Sequence, residues 1–223
     1  MTALIRYQAA LLVRSQRWLP PFILYAAFLA VGVQSGQPVL DSVGYAAAAL
    51  LPVAAWLVRI CVGGEPPAAR TCVAAAAGPA RAHLACLFVA LAAAVVLGTA
   101  ATVVVTLISD PAGTDHRTRV PMLQAGGAGL LAALVCALLG TAVGAVTNRP
   151  VLRSTGRAVP VMLLAALLSM VTTGSPAQAA VSGLVTGSRT GRVPLPLLPL
   201  AGAAVLAAVA IAASCALTAR RSP

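Results

Sequence analysis

Six stretches of this chain, 20–35, 43–62, 82–108, 122–147, 158–173 and 194–217, are apolar over roughly the length a helix needs to cross a bilayer, about 20 residues. The first is short unless it extends toward Gln37. None of the six holds an aspartate or glutamate, and their one histidine, His83, sits at an edge. Backbone in lipid must satisfy its own hydrogen bonds, so segments of this kind cross as helices. The pattern predicts an all-α, polytopic membrane protein, one transmembrane domain over 1–223. Composition points the same way. The chain is 60% hydrophobic and 9% charged, with a mean hydropathy of +0.97, where an ordinary soluble domain is about 25% charged. Too few charges remain to coat a wet surface, which excludes a soluble globular enzyme. The same hydrophobicity excludes disorder.

All 15 basic residues are arginines; lysine is absent. A Walker A loop needs a lysine, so this chain carries no phosphate-binding loop of that kind and is no ATPase by itself. A net charge of +11 would suggest nucleic acid in a soluble protein. Here the arginines are scattered among the apolar stretches without interleaved aromatics, so no nucleic-acid partner is expected, and their distribution reads as topology. With the N-terminus in the cytoplasm, Arg6, Arg14, Arg17, Arg59, Arg70, Arg81, Arg149, Arg153, Arg157, Arg220 and Arg221 fall inside. Arg117, Arg119, Arg189 and Arg192 fall outside, with Asp41, Asp110 and Asp115. The positive-inside rule then places both termini in the cytoplasm. Trp18, Tyr45 and Trp56 lie near span ends, where an aromatic belt would sit. The arginine- and alanine-rich composition suggests a high-GC bacterium, and hence a multi-pass protein of its plasma membrane.

Residues that carry chemistry are sparse. The five cysteines form no C-x-x-C pair and lie within or beside apolar segments, where they act as small hydrophobes. His83 and His116 fall on opposite sides of the membrane, and no nucleophile has a base in reach. No catalytic, cofactor or metal site is expected. Among the few polar groups in the spans, Tyr25, Gln34, Ser169, Thr172 and Thr173 are candidates to line a path for a hydrophobic or amphiphilic solute. The competing reading is that each hydroxyl bonds a carbonyl of its own helix. Gly140 and Gly144 form a G-x-x-x-G, which favours close helix packing.

Residues 1–18 read as an interfacial helix rather than a signal peptide. At 100° per residue, Leu4, Tyr7, Leu11 and Trp18 form an apolar stripe, with Arg6 and Arg17 well away and Ile5, Leu12 and Val13 off it. Pro20 and Pro21 are expected to break this helix from the first span. Arg14 and Arg17 would be costly to bury as an extension of that span.

The most specific feature is the inner loop between the second and third spans. Pro66 and Pro67 can open a helix, 68–77 is alanine-rich, and Gly78 and Pro79 close it. Glu65 precedes it, Arg70 and Thr71 lie in its first turns, and Arg81 follows. The product is a short cytoplasmic helix, 66–78, held between two spans. On these residues the chain resembles the permease subunits of ABC-2 type (type V) ABC transporters. That resemblance implies six spans, an N-terminal elbow helix carrying Arg6, Arg14, Arg17 and Trp18, and a coupling helix at 66–78. It also implies an extracytoplasmic re-entrant helix at 175–186. It further implies that Glu65, Arg70, Thr71, Ala75 and Arg81 meet a separate ATPase subunit. ATP and magnesium would sit on that subunit, and a second six-span permease, identical or paralogous, would complete the dimer within membrane lipid. A different class stays open: an integral membrane protein not driven by ATP, either a facilitator or a scaffold.

Overall fold

A computed structural model describes residues 1–115, 118–148 and 155–221. His116, Arg117, Arg149 and Arg153 lie outside the described residues. Among those described, the chain is all-helical, with α1 (Thr2–Ser15), α2 (Leu19–Gly32), α3 (Val39–Gly63), α4 (Pro67–Ala77), α5 (Pro79–Ile108), α6 (Met122–Thr147), α7 (Thr155–Val171), α8 (Pro176–Thr190) and α9 (Leu197–Arg221).

Four helices, α3, α5, α6 and α9, are long and apolar enough to cross a membrane. The pair α7 and α8 passes the same test together but is bent by 47°. The bend falls at Gly174, whose φ of +92° is a conformation that side chains resist. Large apolar side chains face outward on the peripheral helices, among them Val96, Val103 and Leu107 on α5, Leu164, Leu167 and Val171 on α7, and Leu198, Val205 and Val209 on α9. An apolar exterior of this extent is what lipid solvates and water does not. The chain is a multi-pass membrane protein by this architecture.

Several boundaries differ from those the sequence suggests. The first apolar stretch does not reach Gln37. Helix α2 ends at Gly32, Val33 is extended, and the chain turns at Gly36. Its 14 residues span about 21 Å, short of the roughly 30 Å of a hydrocarbon core. Nor do Pro20 and Pro21 break α1 from α2. They lie in the first turn of α2, where proline costs nothing, and the break falls at Gln16, which is left-handed with φ 52°. The segment expected at 175–186 is helical from Pro176 to Thr190.

The centre of the fold is the seam between α3 and α6. A Cβ added at Gly129 would sit 2.9 Å from Val43 Cβ, one at Gly140 2.7 Å from Ala54 Cβ and against the Leu51 carbonyl, and one at Gly144 2.6 Å from Val58 Cβ. The G-x-x-x-G is thus used inside the chain, bringing two backbones together where dispersion replaces the hydrophobic drive. Helix α5 packs on both, α9 on α6 and α5, and α2 on α3. Tyr25 holds α2 in place. It is 1% exposed, and its hydroxyl donates to the Ala46 carbonyl at 2.9 Å. Tyr25→Phe removes that bond while the Ala46 carbonyl keeps its place in the helical ladder of α3, so it should lower stability by about 0.5–1.5 kcal/mol, read as a drop in thermal midpoint in detergent.

The bundle is tied at both ends. At one, Val39 N–H donates to the Asp110 carbonyl at 3.1 Å, and Asp110 N–H to the Gln37 carbonyl at 2.9 Å. At the other, Arg59 Nη1 donates to Asn148 Oδ1 at 3.1 Å, while Asn148 Nδ2 donates to the Gly144 carbonyl at 2.8 Å. Asp41, Asp110, Asp115, Arg119, Arg189 and Arg192 gather at the first end; α1 and α4 lie at the second.

Candidate coupling site

Helix α4 stands apart from the bundle at the end shared with α1. Pro66 caps it and Pro67 opens it. Gly78, at φ +87°, ends it and serves at once as the N-cap of α5, its N–H donating to the Ala74 carbonyl at 2.9 Å. That conformation suits glycine. No residue of α4 is buried. Thr71, Cys72, Ala75 and Ala76 are exposed, and so is Arg81 beyond it. Thr71 Oγ1 donates within the helix, to the Ala68 carbonyl at 2.8 Å.

Arg70 is not the free rim cation that its place in the sequence suggests. Its Nη2 donates to the Val62 carbonyl at 3.3 Å and to the Glu65 carbonyl at 3.0 Å. These are carbonyls at and beyond the C-terminal end of α3, which lack helical partners and carry the negative end of the helix dipole. Arg70 therefore fixes the angle at which α4 leaves α3.

Glu65 turns the other way. It is 5% exposed, and its Oε2 accepts from Gln8 Nε2 on α1 at 3.5 Å. A buried carboxylate needs such donors. Tyr7, also on α1, has its phenol pKa raised above the ordinary value, first by burial and then by the hydrogen bond and negative charge of Glu65. The structure thus brings Glu65 and Arg70 together with Gln8, which the sequence reading left out, and with Tyr7, which it placed on the apolar stripe. It also shows which row of α1 faces the bundle. The buried residues are Gln8 and Leu12, with Leu4 half-buried on the same row, while Tyr7 is 38% exposed. A polar Gln8 in the row Leu4–Gln8–Leu12 is the signal that could have revealed this. Arg6, Arg14 and Arg17 are exposed. Trp18 Nε1 donates to the Val13 carbonyl at 3.3 Å, and its ring meets Phe22 edge-on at 4.9 Å.

Three of the five residues read as a solute path, Tyr25, Ser169 and Thr172, spend their hydroxyls on backbone carbonyls. Tyr25 is committed to α3. Ser169 Oγ donates to the Ala166 carbonyl and Thr172 Oγ1 to the Leu168 carbonyl, each at 2.7 Å. Gln34 accompanies Gln37 in the turn after α2, its N–H donating to Gln37 Oε1 at 3.3 Å, and Thr173 is exposed in the turn after α7. Among the described residues no group of three or more His, Cys, Asp or Glu is placed to hold a metal ion. No family model, no curated protein and no solved structure matches this chain.

Proposed function

We propose that the chain is the membrane-spanning permease subunit of an ATP-driven exporter of the ABC-2 type, moving a hydrophobic or amphiphilic substrate outward. The observation that carries this reading is α4. An exposed helix delimited by prolines on one side and a glycine on the other, and fixed to α3 through Arg70, is suited to receive force from outside the bundle. A loop that merely joins two spans has no need of one. Helix α1, joined to the same corner through Gln8 and Glu65, takes the part of the elbow helix on the inner leaflet. In this reading α2 and α7 raise the number of crossings to six, and α8 is the extracytoplasmic re-entrant segment. Both termini are cytoplasmic in a bacterial plasma membrane. A second six-span chain completes the pore, and a separate ATPase docks on α4 and binds ATP and magnesium.

The test is purification of the tagged chain from its native membrane. A co-purifying, magnesium-dependent ATPase activity supports the proposal. A chain that purifies alone and moves an apolar solute across liposomes without ATP makes it a facilitator instead. Reporter domains fused at both termini should score as cytoplasmic; an extracytoplasmic C-terminal reporter would remove the topology on which the proposal stands.

A further inference from the structure

At the end of the bundle opposite α4, three distant parts of the chain meet on one carboxylate. Asp41, in the first turn of α3, accepts on Oδ2 from Ser188 Oγ of α8 at 3.0 Å and from Thr114 Oγ1 of the α5–α6 loop at 3.2 Å. The two hydroxyls lie 2.9 Å from each other, and Thr114 N–H donates to the Ser188 carbonyl at 3.0 Å. Gly113 lets the loop lie this close, since a Cβ there would stand 2.7 Å from the Ser188 carbonyl oxygen. Ser188 is 1% exposed.

Helix α8 packs on α3, α6 and α9, but through small residues. Its buried residues are Ala177, Ala180, Leu184, Gly187 and Ser188, so Leu184, which rests on Gly44, is the one large side chain among them. At its other end α8 meets α7 through the turn at Gly174, around which a Cβ would find open space. Asp41 Oδ1 is buried and has no partner among the described residues. An unpaired carboxylate oxygen taxes the closed arrangement, and the tax is relieved when water reaches it.

We propose that Asp41, Thr114 and Ser188 form a latch that holds α8 down on α3, and that α8 is a strap hinged at Gly174, released when the latch opens. A hold of one large side chain and two hydroxyl hydrogen bonds is of a size that can open and close, which a bistable element requires.

The test is the labelling rate of Leu184→Cys, with the five native cysteines replaced by alanine, using maleimide on protein purified in detergent. In detergent the result does not depend on orientation in the membrane or on any ATPase. With the latch intact, Leu184→Cys should label slowly. Adding Asp41→Ala should speed labelling tenfold or more, while Asp41→Asn, whose amide oxygen still accepts both hydroxyls, should stay near the parent rate. Leu50→Cys in the core of α3 should remain protected throughout. If Asp41→Ala does not fold, the Thr114→Ala/Ser188→Ala pair takes its place under the same criterion. Equal rates in latch-intact and latch-broken proteins overturn the proposal. So does an Asp41→Asn rate as fast as that of Asp41→Ala, or equal deprotection of Leu50→Cys.

Discussion

Gly140→Leu should cost the protein its fold. The added side chain would enter where even a Cβ meets the Leu51 carbonyl and lies 2.7 Å from Ala54 Cβ. Both obstacles belong to α3, whose neighbours Leu50, Leu51, Val53 and Ala54 are all fully buried. Neither can retreat without displacing α5. Overpacking a tight core costs about 1–3 kcal/mol and sometimes more, and here backbone rather than a flexible side chain must move. Loss of the monodisperse peak in detergent, or a collapse of the thermal midpoint, is the expected result. Gly127→Leu is the control. It is on the same helix and is the same exchange, but nothing lies within 4 Å of its Cβ position, so it should change little. Equal damage from both would mean that leucine is tolerated nowhere on α6 and that the seam is not special.

Ala75→Trp should abolish stimulation of ATP hydrolysis in the reconstituted complex while leaving the isolated chain as stable as before. Ala75 is exposed on a helix none of whose residues is buried, so the indole meets nothing within its own chain. A loss of stimulation therefore reports a partner's surface. Arg70→Ala separates the second role of this corner. It removes both charged hydrogen bonds to the end of α3. Such bonds contribute about 1.5–3 kcal/mol, and these stand at the low end because Arg70 is only half-buried. It should detach α4 and weaken coupling even though the docking face is intact. Unchanged ATPase binding and turnover in both variants would remove α4 as the coupling element and favour a scaffold.

The parts of this architecture that local chemistry decides were readable from the sequence. Helix α4 was, because Pro66, Pro67, Gly78 and Pro79 punctuate it without help from elsewhere. The bodies of α3, α5, α6 and α9 were too, since uninterrupted apolar residues leave the backbone one option in lipid. The failures share a different cause. Pro20 and Pro21 are compatible with both ending one helix and opening the next, and it is the left-handed Gln16 that decides. The buried face of α1 depends on α5, against which it packs, and on Glu65, 57 residues away from Gln8, and a helical wheel of 1–18 contains neither. Arg70 resembles a surface charge until α3 supplies the carbonyls it caps. The junction of Asp41, Thr114 and Ser188 joins residues as far as 147 positions apart, with no spacing to announce it.

The hydroxyls of Thr102, Thr106, Thr141, Ser169 and Thr172 each turn back on a carbonyl of their own helix. Side-chain hydrogen bonds that cross between helices gather instead at the two ends, with Tyr25 and Ala46 between them. The middle of the bundle therefore holds together chiefly by packing. Among the described residues its surfaces fit mainly by shape, with the Tyr25–Ala46 bond the exception. Packed helices held by shape can in general shift by shear, sliding by an ångström or two, whereas the hydrogen bonds at either end resist it. A protein built this way should show its sharpest mutational sensitivity at its rims and its seams, and unusual tolerance to Ser→Ala and Thr→Val exchanges in between.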